Sequence, residues 1–387
     1  MRSLHGVFCV AFALAIHNPA KAGSTIDYSA GGGWTSNIFK DPTQLRASFS
    51  EVKLGLRGSF DLEDSQFAYG LTVSGRRVPR YRFVDERKVG LEAGYIVDLS
   101  ETIKLTLKGG IEHRRDGDLF LALPGLTIGY SKEDIAAAAS AGITVEQGGG
   151  KSHATVALAN LNRGEADFTL AGLPRTKLEA GNRLLDLTGG HIRPLLGGEV
   201  GVTLQYRTNH IPADEQALER FPARTLRGSL AYGRAFGNGI TLMAEAGIVR
   251  VASSDLGKSV DPTRPFLKAE LAWQLPADTV FKATLSRDIQ LADIDDPLGE
   301  DVRTVGLSLE KALTEKLKLA LAFEQAYSDW LYYDYRTRTT STVATLSYTL
   351  AKGAALALEY SHLVRRETDK AADFKVDGLA ARFSGSF

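Results

Sequence analysis

The sequence predicts an all-β fold, a transmembrane antiparallel up-and-down β-barrel of about 18 strands, and three observations carry that reading. Segments of about 10 to 14 residues alternate large apolar side chains with small or charged ones at period two. The polar connections between them switch between short and long along the chain. Strands of this length are about twice the globular average and can cross a bilayer at a tilt of ~45°.

Residues 1–22, MRSLHGVFCVAFALAIHNPAKA, read as a secretory signal peptide. Arg2 supplies the basic start, an apolar core runs from Gly6 to Ile16, Asn18 and Pro19 break it, and Ala20 and Ala22 form the small-residue cleavage pattern. Cleavage is expected after Ala22, and the apolar core falls short of the ~20 residues of a spanning helix. Cys9, the only cysteine, leaves with this segment, so residues 23–387 form one barrel domain without disulfide, thiolate ligand or lipidated cysteine. The leader carries Arg2 and Lys21 and no acid, which leaves 44 basic against 46 acidic residues. A balance this even supplies no field for a nucleic acid.

The strands follow in order. EVKLGLRGSFDL sets Val52, Leu54, Leu56 and Phe60 against Lys53, Gly55, Arg57 and Ser59, and QFAYGLTVS sets Phe67, Tyr69, Leu71 and Val73 against Ala68, Gly70, Thr72 and Ser74. The same two-faced pattern recurs in KVGLEAGYIVDLS and TIKLTLKGGIEH, then in EVGVTLQYRTNH, TLRGSLAYGRAF, ITLMAEAGIVRV, FLKAELAWQL and TVFKATLSRDIQLA. It returns in VRTVGLSLEKAL, LKLALAFEQAYSDW, STVATLSYTLA, AALALEYSHLV and FKVDGLAARFSGSF.

Among the connections, LEDS, LSE, GNG, PAD, TEK and KG are short, whereas RRVPRYRFVDER, IPADEQALERFPAR, DLGKSVDPTRP, ADIDDPLGED and RRETDKAAD are long. Short turns at one end and long loops at the other make the outer-membrane arrangement, and about nine long with about eight short connections give about 18 strands. Both chain ends then lie in the periplasm, as an even count requires. Residues 115–195 are the least regular: IAAAASAGI has the propensity of a helical turn and LFLALPGLTIGY reads as a loop folded into the pore, which makes 16 strands the alternative. A water-soluble sandwich would need shorter strands and solvated Lys and Glu throughout its polar faces. The second face here is instead rich in Gly, Ala, Ser and Thr.

GLAARFSGSF, residues 378–387, places Leu379, Ala381, Phe383 and Phe387 on one face and Ala380, Arg382, Ser384 and Ser386 on the other. In a closed barrel this strand pairs with the first, around Ile26 to Trp34, and leaves no free edge. An amphipathic last strand ending on an aromatic resembles the signal that Gram-negative outer-membrane barrels present to the barrel-assembly machinery, with Leu379, Phe383 and Phe387 as the signal residues. GGGWTSNIFKDP, near the start, resembles the G-x-x-x-(S/D)-N-(I/V)-F opening of the β-barrel porin 2 family. The resemblance implies a Gram-negative outer-membrane setting with lipid and lipopolysaccharide as partners, and a likeness in setting to exopolysaccharide-export systems.

No catalytic, cofactor or metal site emerges. Barrel lipases carry His-x-Ser on one strand face, and the mature histidines, in HRR, HAT, HIR, HIP and HLV, do not match. Proteases of the omptin kind need an acidic pair and a His/Asp pair at the outer rim, for which Asp288, Asp293, Asp295 and Asp296 with His210 or His362 are the candidates. His113, His153, His191, His210 and His362 read as lumen or loop residues. QGGGKSH lacks the first glycine of a phosphate-binding loop and reads as a flexible turn. DIDDPLGED gathers five carboxylates at a spacing that fits no EF-hand; it reads as a solvated acidic loop, with divalent-ion binding as the alternative.

The lumen is where function is expected. Its assigned face carries Lys53, Arg57, Glu92, Lys104, Lys108, Glu112, Glu199, Arg207, Arg227 and Glu245, then Lys268, Glu270, Lys282, Asp288, Glu310, Lys318, Glu324, Glu359 and Arg382. Charges this numerous require water or partners, and mixed signs favour neutral, hydroxylated solutes over a selected ion. Trp34, Tyr95, Tyr206, Tyr232, Trp273, Trp330, Tyr332, Tyr333 and Tyr360 are expected in the interfacial girdles. The expected function is a pore or export conduit for hydrophilic solutes, saccharides or exopolysaccharide among them, with no chemistry of its own. The alternatives are an outer-membrane enzyme, omptin-like or lipase-like, and a sealed structural or adhesion barrel.

Overall fold

The alternation becomes one sheet rolled onto itself in a computed structural model that describes residues 23–123, 126–170, 172–215, 218, 220–254, 262–291, 296–351 and 353–387. The expected signal peptide, with Cys9, lies outside the described residues. The chain runs through β1 (Gly23–Thr35), β2 (Ala47–Leu62), β3 (Ser65–Arg77), β4 (Glu86–Ser100), β5 (Ile103–Leu123), β6 (Leu126–Gln147) and β7 (Gly150–Asn162). Two short strands, β8 (Glu165–Phe168) and β9 (Thr176–Lys177), precede β10 (Asn182–Leu195), β11 (Gly198–His210), β12 (Arg224–Ala235), β13 (Ile240–Ala252) and β14 (Thr263–Leu275). The last six are β15 (Thr279–Leu291), β16 (Gly299–Ala312), β17 (Leu317–Trp330), β18 (Arg336–Ala351), β19 (Ala354–Glu367) and β20 (Phe374–Ser386).

The wall is a closed antiparallel barrel of 18 strands. β7 pairs directly with β10, so β8 and β9 stand outside the wall, where β8 pairs with β6 along Tyr130 to Lys132. β20 pairs with β1 from Asp27↔Ser386 to Thr35↔Gly378, and Ile26 and Phe387 exchange backbone hydrogen bonds of 2.8 and 3.1 Å. The glycines of GGGW let these strands meet: a Cβ on Gly31 would lie 2.6 Å from the Ala381 carbonyl oxygen, and one on Gly33 2.5 Å from that of Leu379. Turns such as Leu62–Ser65 and Leu195–Gly198 gather at one end, the short-turn end, and the loops gather at the other, the long-loop end.

Successive side chains of a strand point to opposite faces, so residues paired across the ladders share a face. Leu54, Val73 and Val89 form one such outward row and are 57%, 42% and 46% exposed, and Leu204 and Leu230 reach 64% and 65%. A wall this apolar on its outside has no partner among the described residues, and hydrocarbon is the medium that would cover it. Most of the buried apolar side chains lie instead at the long-loop end, in two clusters. One joins Ala223, Val249, Val251, Phe266, Ile289, Leu298 and Leu331; the other joins Phe39, Ala47, Val78 and Val84.

The SNIF segment fixes the second cluster. Asn37, buried, donates from Nδ2 to the carbonyls of Asp41 at 2.6 Å and Lys375 at 3.2 Å, which ties the first loop to β20. Phe39 then stacks on Phe83 with ring centroids 5.7 Å apart. The motif is a structural anchor.

The least regular stretch differs from its expectation. IAAAASAGI lies within β6 as strand, because pairing with β5 and β7 on both sides outweighs the helical preference of alanine. LFLALPGLTIGY is no irregular loop in the pore: β5 and β6 continue as a paired hairpin from Leu119↔Tyr130 to Leu123↔Leu126, beyond a bulge between Asp116 and Leu119. QGGGKSH contains the β6–β7 turn, with Gly148 and Gly149 at φ +61° and +75°, a conformation that favours glycine.

The outward and inward faces of β20 give a first test. Leu379 is 49% exposed on the outer face, while Arg382 on the inner face pairs with Glu51. Leu379→Arg is expected to lower the folded fraction, by about 2–4 kcal/mol if the site lies at mid-membrane and about 0–1 near the interface. Arg382→Ala is expected to keep the folded band. Heat-modifiable migration on unboiled gels reads both variants; the reverse result would invert the faces.

Candidate functional site

Ladder register places all nineteen charged residues anticipated for the lumen on the inward alternates. Lys53 and Arg57 stand on β2, Glu92 on β4, Lys104, Lys108 and Glu112 on β5, Glu199 and Arg207 on β11, and Arg227 on β12. Glu245 follows on β13, Lys268 and Glu270 on β14, Lys282 and Asp288 on β15, Glu310 on β16, Lys318 and Glu324 on β17, Glu359 on β19 and Arg382 on β20. The same face holds Asp27, Glu51, Lys88, Arg114, Asp134 and Asp186, which the sequence reading missed although they continue the period of their strands.

The inner space is lopsided. A cavity of about 1000 Å³ extends along β20 and β1 to β4, from Gly353 and Ser386 at the short-turn end to Glu86 and Asp116 at the long-loop end. Two further cavities of about 690 and 750 Å³ continue it toward β10, sharing Glu92 with the first. Gly110, Ala138 and Ala159 line both, so small side chains keep this half open. The charges lining it are mixed and largely matched: Arg57 donates to Asp27 at 2.7 Å, Arg382 meets Glu51 at 2.6 Å, and Lys88 meets Glu112 at 2.6 Å. Asp186, with Arg207 on β11, marks the far border of the third cavity.

The other half is bridged. Arg207 on β11 and Arg227 on β12 both reach Asp288 on β15 at 3.4 Å, and the Arg207 Nε also meets Asp186 at 2.8 Å. β11 and β15 are four strand steps, or about 19 Å, apart along the wall, so the bridge spans a corner of the lumen. The Arg227 guanidinium lies 4.0 Å from the centroid of the inward Phe266 ring, which joins the bridge to the apolar cluster above it.

That cluster is capped by three loops drawn together. Phe221 meets Tyr332 with ring centroids 4.8 Å apart and donates its N–H to the Pro297 carbonyl at 3.1 Å, and the Leu331 N–H reaches the Gly299 carbonyl at 2.9 Å. At the centre is Asp296, fully buried. One carboxylate oxygen accepts from the N–H groups of Leu298 and Gly299, both at 2.9 Å, and the other from those of Tyr332 and Tyr333 at 3.1 and 3.2 Å.

This corrects the reading of DIDDPLGED as a solvated loop, so far as Asp296 to Asp301 are concerned. Asp296, Glu300 and Asp301 are buried, Glu300 against Ser328 and Asp301 between Arg287, Arg264 and Arg303. Backbone donors and arginines neutralise the acids from within the fold. Asp293 and Asp295 lie outside the described residues, and among the described ones no three His, Cys, Asp or Glu side chains gather as metal ligands.

The aromatics divide. Trp34, Tyr95, Tyr206, Tyr232, Trp273 and Tyr360 occupy outward alternates, whereas Trp330, Tyr332 and Tyr333 meet one another, Phe221 and Tyr335 in tilted or edge-to-face contacts at the long-loop end. Of the described histidines, His153 takes an inward alternate. His113, His191, His210 and His362 take outward ones, the last three within five residues of a strand end, where an amphipathic ring suits an interface. His362 meets Asp377 at 2.7 Å and His191 meets Ser152 at 2.9 Å, both on the outer face and away from the inner cavities. Asp288 and Asp296 are each committed to the contacts above, so neither meets the histidines proposed for an omptin-like site.

Comparisons with known proteins agree with the architecture. Residues 260–383 match the family model described as "Putative beta-barrel porin 2", the family that the opening motif resembles. No curated protein matches. The copper transporter OprC superposes with a TM-score of 0.56 at 10% identity, over 96% of this chain and 81% of that one. The ferric enterobactin receptor of Pseudomonas aeruginosa does so with 0.51 at 9%, over 96% and 81%. CdiB from Acinetobacter baumannii aligns with 93% of this chain at 11% identity and a TM-score of 0.46, and the chain spans 60% of its length. At such identities the likeness concerns the fold, that of an outer-membrane β-barrel.

Two expectations follow from the cap. Asp296→Ala leaves four N–H groups without their acceptor, and the two buried ones, of Leu298 and Gly299, cost about 1–3 kcal/mol each. Hydrogen exchange at the Tyr332 and Tyr333 amides is expected to accelerate at least ~10-fold, and Asp296→Asn should fall between; unchanged exchange would show that the loops hold without the carboxylate. Nearby, burial and a hydrogen bond to Glu367 push the Tyr335 phenol up to about 12. Because the folded value is raised, its contribution to stability is complete below the ordinary value of 10.0 and is lost as pH rises through about 12. Near-ultraviolet absorbance titration should reveal this late phenol in the native chain and lose it in Tyr335→Phe.

Proposed function

We propose that the protein is a Gram-negative outer-membrane conduit for hydrophilic, largely uncharged solutes, saccharides being the class that best fits, and that it performs no chemistry. The observation that carries this reading is the inner cavity of about 1000 Å³ reaching from the short-turn end to the long-loop end. Its acidic and basic side chains alternate, so the field along it is weak, while hydroxyls and paired ions offer hydrogen bonds to a hydroxylated cargo. Lys53, Lys108 and Glu92, which make no ion pair with the described residues, are the charged groups free to meet a solute. The bridge at Asp288 and the cap at Asp296 narrow the other half and set the width of the path.

In this reading residues 1–22 direct secretion and are removed, Leu379, Phe383 and Phe387 address the assembly machinery, and the long loops face the cell exterior. A sealed barrel is the second reading, favoured by the Asp288 bridge and the loop cap. Planar-bilayer recordings separate the two. Stable conductance steps with weak cation-over-anion preference are expected, and Asp288→Ala should enlarge the steps by opening the bridged half. Silence of both forms would favour the sealed barrel. For orientation, cysteines at Asp214 or Asp369 should react with an impermeant thiol reagent in intact cells, while those at Asp64 or Asn238 should react only after permeabilisation; the opposite labelling would reverse the barrel.

A further inference from the structure

We infer that an outward-facing arginine row at the long-loop end is a binding site for the phosphate groups of a phosphorylated membrane glycolipid. Ladder register sets Arg303 of β16 opposite Tyr327 of β17, Tyr327 opposite Arg338 of β18, and Arg338 opposite Arg366 of β19, in one line across four neighbouring strands. A cavity of about 370 Å³ lies on this line, with Arg336 and Asp329 at its edge.

The charge does not balance there. Asp329 serves Arg303 at 2.6 Å and Arg336 at 3.1 Å. Arg338 and Arg366, directly opposite one another, have no carboxylate within 4.0 Å among the described residues, and Arg338 stands 5.2 Å from the Tyr327 ring centroid. Glu367, next along the chain, occupies the other face, where Arg365 and Tyr335 hold it. Like charges opposed across a ladder are destabilising unless an anion lies between them. Paired guanidinium forks over a shallow cavity suit phosphate oxygens, which accept two parallel N–H bonds from each fork.

The position selects the source of the phosphate. The row faces outward near the strand ends, and the same alternates carry Val305, Leu307, Phe323 and Val364 within four residues below it. At the short-turn end these four strands present Leu309, Leu319, Tyr348 and Leu356 outward beside Lys311, so along these strands the arginine row stands at the long-loop end. An arginine side by side with an apolar belt sits at the depth of lipid headgroups, where its cost in hydrocarbon vanishes. The inference rests on the outer-membrane reading above, and it adds a lipid of the outer surface as the specific ligand.

The test uses the full-length folded barrel purified in detergent, native mass spectrometry, and bisphosphorylated lipid A against the same lipid without phosphates. Retention of the bisphosphorylated form alone is expected, with affinity falling about tenfold or more in the Arg338→Gln, Arg366→Gln double variant. Arg193→Gln, at the short-turn end, should bind as the native chain does, and heat-modifiable migration should report every variant folded. Equal retention of the dephosphorylated lipid, or an unchanged affinity in the double variant, would overturn the site. Displacement by inorganic phosphate at lipid-like concentrations would overturn the lipid as its ligand. Recovery of the native chain outside the outer-membrane fraction of cells would overturn the membrane reading on which it rests, and this arm is independent of the binding assay.

Discussion

A strand edge that meets hydrocarbon has no water to bond with, so the wall can exist only if its first and last strands find each other. The nine pairs between β1 and β20 are therefore the contact on which the remaining ladders depend. Gly31 and Gly33 give the backbone room for that approach, and Asn37 extends the seam past the strand ends by reaching the Lys375 carbonyl. Once the seam is closed, every strand has two neighbours and the alternation of side chains has only two destinations, an apolar outside and a lined inside.

That constraint explains which parts were readable in advance. Where large and charged residues alternate, as at Val52, Lys53, Leu54 and Arg57, one register satisfies both faces, and the inward set could be named before any fold was known. Where the residues on the two faces resemble each other the signal fades. The alanines of β6 present the same methyl group to both sides, so their strand is specified by pairing with β5 and β7. The GGG of β1 carries no side chain to count, which hid Asp27 and its partner Arg57 as a pair. The loop cap was invisible for a different reason: Asp296 binds amides thirty-six and thirty-seven residues away, and no local period announces such a contact.

The inside and the outside then divide the charged residues by purpose. Inward, acids and bases cancel over short distances along the open half, and the bridge from Arg207 and Arg227 to Asp288 sets a boundary to it. Outward, Arg338 of β18 and Arg366 of β19 meet no carboxylate among the described residues. A water-filled interior can screen a mismatch cheaply, whereas a face turned to lipid needs a partner of opposite sign supplied by the membrane itself.

Asp296 has a consequence for the mouth of the barrel. Its two oxygens hold a turn of their own loop and the start of the next at the same time, and Phe221 lies across both. None of these segments can swing aside while the others stay, because withdrawing any one strands the carboxylate among apolar neighbours. A side of the mouth held this way would open as one clasp, its four amide contacts released together, while passage along β1 to β4 would need no such release.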